Sequence, residues 1–284
     1  MARRIVTGLI LAAIVIGAVW QGPYALLASL LALAVLLALH EFLGLPGTLK
    51  PLDRAASMLA GAGIAAVAAA TPKDQLAQWM LAATVLAALG LLLLVLFTPH
   101  QMPQAGARAA HMLAGLVYVA LLGSCAILVV RPEHGEPGAL VPFGGVAPGR
   151  FVLLMAAAVT WLNDTLAFAG GKLFGRHKLY PAVSPNKTWE GSVAGMLGSI
   201  LGAFLVKWLF WQAVSDTALI AFALVGGVLG QLGDLAESVF KRAYGVKDSG
   251  SILPGHGGML DRIDAFLFVA PFAWAYFYVL GVAS

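Results

Sequence analysis

Between residues 237 and 265 the chain reads ESVFKRAYGVKDSGSILPGHGGMLDRIDA, a segment dense in groups that can hold phosphate and a hard cation. Asp234, Glu237, Ser238 and Lys241 are spaced i, i+3, i+4 and i+7, so a helix running through them aligns all four on one face. Two carboxylates on such a face can bind a hard cation through oxygen. Gly255, Gly257 and Gly258 surround His256 and lead directly into Asp261 and Asp264, which are three residues apart and share a face at the start of an apolar run. Across the fold these two acids could converge with Asp234. Mg2+ uses one or two carboxylates together with waters and substrate phosphates, and paired acids flanked by Lys241, Arg242, Lys247 and Arg262 supply that chemistry. Helix N-terminal charge is the purely structural account of Asp261 and Asp264; acids bordering an apolar run beside a glycine turn favour a site. His256 can donate to phosphate or move a proton, and the flanking glycines rank phosphate contact first.

A second polar stretch, WLNDTLAFAGGKLFGRHKLYPAVSPNKTWEG, opens with Asn163 and Asp164 inside an apolar run. An acid at that depth is expensive unless it faces a polar cavity. Gly170, Gly171 and Gly175 permit tight backbone turns, and Lys172, Arg176, Lys178 and Lys187 supply cations for phosphate oxygens. Pro185 stiffens the chain ahead of Asn186, Lys187 and Thr188, so that these polar groups are displayed from a fixed turn. No GxxxxGK[ST] phosphate loop occurs in the chain.

The elements that must position these groups are membrane helices. The chain is 61% hydrophobic and 11% charged, with a mean hydropathy of +0.90, far more apolar than a soluble domain. A single cysteine, Cys125, excludes a disulfide framework and a cysteine-based metal site within one chain. Apolar runs long enough to cross a bilayer lie near residues 5–20, 24–40, 55–70, 77–97, 111–130, 151–169, 193–213, 217–233 and 263–281, nine in all. The first follows Arg3 and Arg4 like a signal peptide, yet no small-x-small cleavage site follows, so a retained transmembrane helix is expected. The chain thus divides into residues 1–150, with five spans, and residues 151–284, with two polar loops at 170–192 and 234–262.

Of the seventeen basic residues, a cytoplasmic N-terminus puts thirteen in inner loops, three (Lys73, Arg131 and Arg150) in outer loops and Lys207 inside the seventh span. Because Lys and Arg are retained on the cytoplasmic side, both polar loops are expected to face the cytoplasm. The fold class expected is an all-α polytopic integral membrane protein in the cell (inner) membrane.

At Ser238, Lys241, Arg242, Lys247, Asp248, His256, Gly257, Gly258, Asp261, Arg262 and Asp264 the sequence resembles the signature of the phosphatidate cytidylyltransferases, also called CDP-diglyceride synthetases. The stretch NDTLAFAGGKLFGRHKLYPAVSPNKTWEG is similar to that family's second block, with Phe168 where many members carry tyrosine. The resemblance covers residues 150 to 284 clearly and the first half only as hydrophobic spans. It implies Mg2+-dependent transfer of CMP from CTP to phosphatidic acid, giving CDP-diacylglycerol and pyrophosphate in phospholipid biosynthesis. By the same likeness metal is expected on Asp234 and Asp261, with Asp264 and Asp248 in support. Asp234, Asp261, Lys241 and His256 are expected to carry catalysis. Substrate binding is expected from Asp164, Lys172, Ser184, Asn186, Lys187, Thr188, Ser238, Arg242, Lys247, Asp248 and Arg262. A second cation beside Mg2+ stays open, a homodimer is a family-level expectation, and no nucleic acid is expected as partner.

Two other readings compete. A CTP-dependent lipid kinase would transfer the γ-phosphate to a neutral alcohol and would need a base. An anion transporter would spread polar residues over several mid-membrane spans with repeat symmetry, whereas here charge crowds into two loops.

Overall fold

The computed structural model describes residues 17–20, 22–98, 102–131, 148–212, 214–253 and 257–279. It is a helical membrane protein. In chain order the elements are α1 (Tyr24–Gly44), α2 (Pro51–Ala70), α3 (Leu76–Phe97), α4 (Met102–Ala114), α5 (Leu122–Val129), α6 (Pro148–Phe174), β1 (Lys178–Tyr180), β2 (Ser184–Thr188), α7 (Trp189–Phe210), α8 (Asp216–Ala243) and α9 (Leu260–Trp274). A π-helical segment, Gly115–Leu121, joins α4 to α5, and another, Ala275–Val279, continues α9.

Among the described residues seven helices are long and apolar enough to cross a membrane. Most of the first expected span, residues 5–16, lies outside the described residues. The ninth corresponds to α9 with its π-helical continuation.

Three local expectations are corrected. The loop expected from residue 170 starts later, because α6 runs on to Phe174 and carries Lys172 on its last turn. Gly170 and Gly171 are therefore helical rather than turn residues, and their lack of a side chain serves packing: a Cβ on Gly170 would collide with Ala194 of α7, and one on Gly171 would come within 3.1 Å of Thr188 Oγ1. Ser184–Thr188 is an extended strand paired antiparallel with Lys178–Tyr180, not a turn. Pro185 is compatible with that strand because a two-stranded ribbon has an open edge. The second loop also starts later than residue 234, since α8 extends to Ala243, as the spacing of Asp234, Glu237, Ser238 and Lys241 requires.

Helices α6 and α7 make the most extensive pairing in the molecule. Small residues in α7 make it possible: a Cβ on Gly202 would lie 2.6 Å from the Ala158 carbonyl of α6, so the backbones meet directly, as membrane helices with small interfacial residues do. Helix α9 packs on α8, α5 and α6, and its Leu260 and Leu267 are buried in a cluster with Leu39, Phe42, Met112 and Leu116 from the first half of the chain.

Many of the charged contacts lie at the two ends of the bundle. At one end Arg131 donates to the Ala68 carbonyl at 2.7 Å and Arg150 to those of Val19 and Gly22 at 2.9 and 2.7 Å. These cations bond backbone carbonyls at or just beyond the ends of helical segments. At the same end Lys207 pairs with Asp216. The hairpin, the end of α8 and the head of α9 share the other end.

Candidate active site

A cavity of about 470 Å³ opens at that second end, walled by α6, the β-hairpin, α7, α8 and the head of α9. Asp164, Asp234, Asp261 and Asp264 line it together with Lys172, Asn186, Lys187 and Thr188. Four acids and two lysines, 100 residues apart at the extremes by their numbering, thus share one wall system. Ala167, Phe168 and Leu179 give the same cavity an apolar side, and Phe168 is 74% exposed.

Several of the polar and charged groups at this end have a physical holder. Lys187 projects from β2 and pairs with Asp234 of α8 at 2.8 Å, the two side chains remaining 26% and 30% exposed. Ser238, one turn along α8, lies 3.4 Å from the other oxygen of Asp234. Thr188 caps α7 by accepting from the Gly191 N–H at 3.1 Å, the usual service of threonine at that position. The hairpin is fastened at its base by Glu190, which accepts from the Arg176 and His177 backbones at 3.1 and 3.2 Å. Arg242 donates to the Val183 and Val246 carbonyls at 3.3 and 2.8 Å, tying the hairpin turn to the end of α8.

Lys241 is buried behind this wall, donating to Glu237 at 2.5 Å and to Asp261 at 2.7 Å. It does not line the cavity, and neither does Glu237, so the Asp234–Glu237 pair does not act as two arms of one cation site. Asp261 also accepts from the Ser249 N–H at 3.1 Å, the Ser249 hydroxyl at 2.9 Å and the Gly258 N–H at 3.3 Å. Burial alone would raise its carboxyl, but the hydrogen bond and charge of Lys241, with Ser249, outweigh it and hold Asp261 below the usual carboxylate range. Asp264, deeper on the same helix, is buried and accepts from the Ala265 N–H at 2.8 Å.

Of the remaining sequence candidates, Ser184 sits at the far end of β2, opposite Tyr180. Arg242, Lys247, Asp248 and Arg262 are exposed and lie outside the cavity lining. His256 lies outside the described residues. Its neighbour Gly257 has φ of 84°, a left-handed conformation that favours glycine, and its carbonyl accepts from the Leu253 N–H at 3.0 Å.

Two sets of contacts escaped the sequence reading, which named Asn163 but none of its partners. Asn163, Gln231 and Ser192 join α6, α7 and α8 through side chains: Gln231 donates to Asn163 at 3.1 Å and to the Ser192 carbonyl at 3.0 Å, and Asn163 donates to Ser199 at 2.7 Å. A lone glutamine three residues before Asp234 in an apolar run was the available signal. Glu41 of α1 makes the other; it reaches the head of α9, where its carboxylate accepts from the Leu260 N–H at 2.9 Å. Its signal was an acid closing the apolar run that ends LALHEFLG.

Among the described residues no three of the His, Cys, Asp and Glu side chains are gathered as a ready-made metal cage. The donors present are hard oxygens on the wall of a roomy cavity, which suits an ion that takes one or two carboxylates and completes its shell with water and substrate oxygens.

A sequence model of the cytidylyltransferase family matches residues 2–280. Among curated proteins, the phosphatidate cytidylyltransferases of Staphylococcus epidermidis and Staphylococcus haemolyticus are 50% and 47% identical to this chain over 123 residues. That of Staphylococcus aureus is 47% identical over the same length. In each case the match takes in 43% of this chain and 47% of the relative, so the chain spans about half the length of the curated relatives it matches.

Proposed function

We propose, for a chain that belongs to the cytidylyltransferase family, that it transfers CMP from CTP to phosphatidate at the cytoplasmic face of the cell membrane, yielding CDP-diacylglycerol and pyrophosphate for phospholipid synthesis. The observation that carries the reading is the meeting of Asp164, Asp234, Asp261 and Asp264 with Lys172 and Lys187 on a cavity that also has an apolar side. Such a cavity suits an amphiphilic acceptor and a polyanionic donor. The names of the similar staphylococcal proteins point to the same substrates.

Within this reading Asp234 and Asp261, supported by Asp264, would hold Mg2+. An ion bound there would neutralise charge on the triphosphate and orient the leaving group. Lys187 and Lys172 would contact phosphate oxygens, Lys187 exchanging its bond to Asp234 for one to substrate, and Asn186 would donate beside them. An oxygen of the lipid phosphate attacks the α-phosphorus in line, the bond from that phosphorus to the bridging oxygen breaks, and pyrophosphate leaves with the electron pair. The nucleophile is already an anion, so no side chain has to remove a proton. The work left for the protein is to align the reactants and oppose their charge.

Lys241, engaged by Glu237 and Asp261, serves in this scheme to hold Asp261 in place rather than to grip the triphosphate. His256 is assigned to phosphate contact from its glycine surroundings. Catalysis belongs to residues 151–284, and the orientation rests on the thirteen basic residues of the inner loops.

The test is incubation of detergent-purified protein with phosphatidate, Mg2+ and CTP labelled separately at the α- and γ-phosphates, followed by lipid extraction. Lipid carrying the α label is the expected result. Lipid carrying only the γ label would make the protein a lipid kinase, and no label in lipid would remove phosphatidate as acceptor and revive the transporter reading.

A further inference from the structure

The head of α9 is held from the opposite half of the chain. Glu41 is 5% exposed and contributes nothing to the cavity wall, yet its carboxylate accepts from the Leu260 N–H at 2.9 Å, across 219 residues of sequence. Leu260 immediately precedes Asp261. The Ser249 hydroxyl lies 3.4 Å from Glu41 and 2.9 Å from Asp261, so one side chain stands between both carboxylates. The loop is moulded around this contact: a Cβ on Gly250 would collide with the Glu41 carboxylate, and one on Gly258 would lie 2.8 Å from it. Around Glu41, Phe42 and Leu43 of α1 are buried in the same cluster as Leu260, so the α1 backbone is fixed where the carboxylate has to be.

We infer that Glu41 is a positioning residue for Asp261: it fixes the first turn of α9 and the Ser249 loop so that the Asp261 carboxylate stays aimed at the cavity and at Lys241. Helix caps by acidic residues are common and contribute stability alone. Here the capped residue adjoins a carboxylate that faces the cavity, and the shared serine couples the two acids directly. Groups that orient a metal-binding carboxylate from behind change metal affinity without touching the metal. The inference rests on the proposed function in one respect, that Asp261 is a cation ligand.

The experiment uses the full chain in detergent micelles, with Mn2+ as the probe and free Mn2+ read by electron paramagnetic resonance, alongside hydrogen exchange of the peptide spanning residues 249–264. Glu41→Ala is expected to weaken Mn2+ binding about 10- to 100-fold and to speed exchange in that peptide while the remaining helices keep their protection. Glu41→Gln, whose carbonyl oxygen still accepts from Leu260, is expected to recover affinity to within about threefold of the unaltered chain. An alanine variant that binds Mn2+ like the unaltered chain overturns the inference. So does a loss of protection spread over all helices with Mn2+ affinity unchanged, the mark of a cap that only stabilises. Should the alanine variant not fold, Glu41→Asp keeps the charge but withdraws it by one methylene, and it must still weaken Mn2+ about tenfold; equal affinity overturns the inference. If the unaltered chain takes up no Mn2+, the metal reading fails by itself. Exchange then decides the positioning role: faster exchange confined to 249–264 in Glu41→Ala upholds it, and unchanged exchange there removes it.

Discussion

Two ion pairs, one in each half of the molecule, are held differently. In the first half, Asp53 of α2 is fully buried and every polar bond it makes is internal: Arg108 Nε at 2.6 Å and Arg108 Nη2 reach its two oxygens, and the Lys50 N–H reaches it at 3.1 Å as a helix cap. In the second half, Lys187 and Asp234 pair at 2.8 Å but keep about a quarter to a third of their surface open to a cavity. A closed, saturated pair resists any new partner. An open pair, with part of each side chain facing a cavity, can exchange its partner for a ligand at little cost. Both pairs bridge elements distant in sequence, so distance does not separate structure from chemistry; residual exposure beside space does.

The comparison can be broken most forcefully at the closed pair. Asp53→Asn leaves Arg108 buried without its counter-charge, and removing one partner of such a pair costs about 3–5 kcal/mol. Thermal unfolding in detergent should show that loss, while protein that remains folded should keep its apparent affinity for CTP. If instead stability holds and turnover falls, the distinction between the two pairs is wrong.

Asp261→Asn should do the reverse. Neutralising a carboxylate at the site of developing phosphate charge is expected to lower CMP transfer at least about a hundredfold, or about 2.7 kcal/mol in the transition state. The protein should stay folded, because Ser249 and Gly258 can still donate to the one amide oxygen while Lys241 keeps its pair with Glu237. Retained turnover would remove Asp261 from the site.

Lys187→Ala tests the open pair itself. Loss of a charge-assisted bond to phosphate should raise the KM for CTP about tenfold, with little change in stability since the pair is partly exposed. A stability loss comparable to that of Asp53→Asn would show the Lys187–Asp234 bond to be structural after all.

Helical spans and the clustering of polar residues were legible in the sequence because a bilayer imposes length and apolarity on each span locally. The helical continuation of α8 through Lys241 was legible for the same reason, from spacing alone. Partner choice was not. Lys241 read as a catalytic residue from its place in the signature segment, and only the fold reveals that Glu237 and Asp261 already claim its ammonium. Gly170 and Gly171 read as turns because glycine weakens a helix in water, whereas between membrane helices its missing side chain is what lets α7 approach. The strand Ser184–Thr188 was hidden behind Pro185, whose turn preference is local, while the pairing with Lys178–Tyr180 that decides the conformation lies outside any short window. Glu41 could not be joined to Leu260 by any rule of spacing.

The smallest expected effect falls on Lys247. Its position in the signature resemblance and its place in the fold pull in different directions: it matches a family motif, yet it is exposed on the segment after α8 and outside the cavity lining. An exposed cation acts through solvent and contributes up to about 1 kcal/mol. Lys247→Ala should therefore raise the KM for CTP about threefold, with an effect that shrinks further as salt is added, whereas the Lys187→Ala defect should persist in salt because that pair is partly screened from water. A Lys247 defect larger than that of Lys187, and insensitive to salt, would mean that residues 244–253 close onto the triphosphate when substrate binds. The open wall of the cavity would then be only one face of the working site, and exposure in the unliganded chain would cease to distinguish groups that attract substrate from groups that hold it.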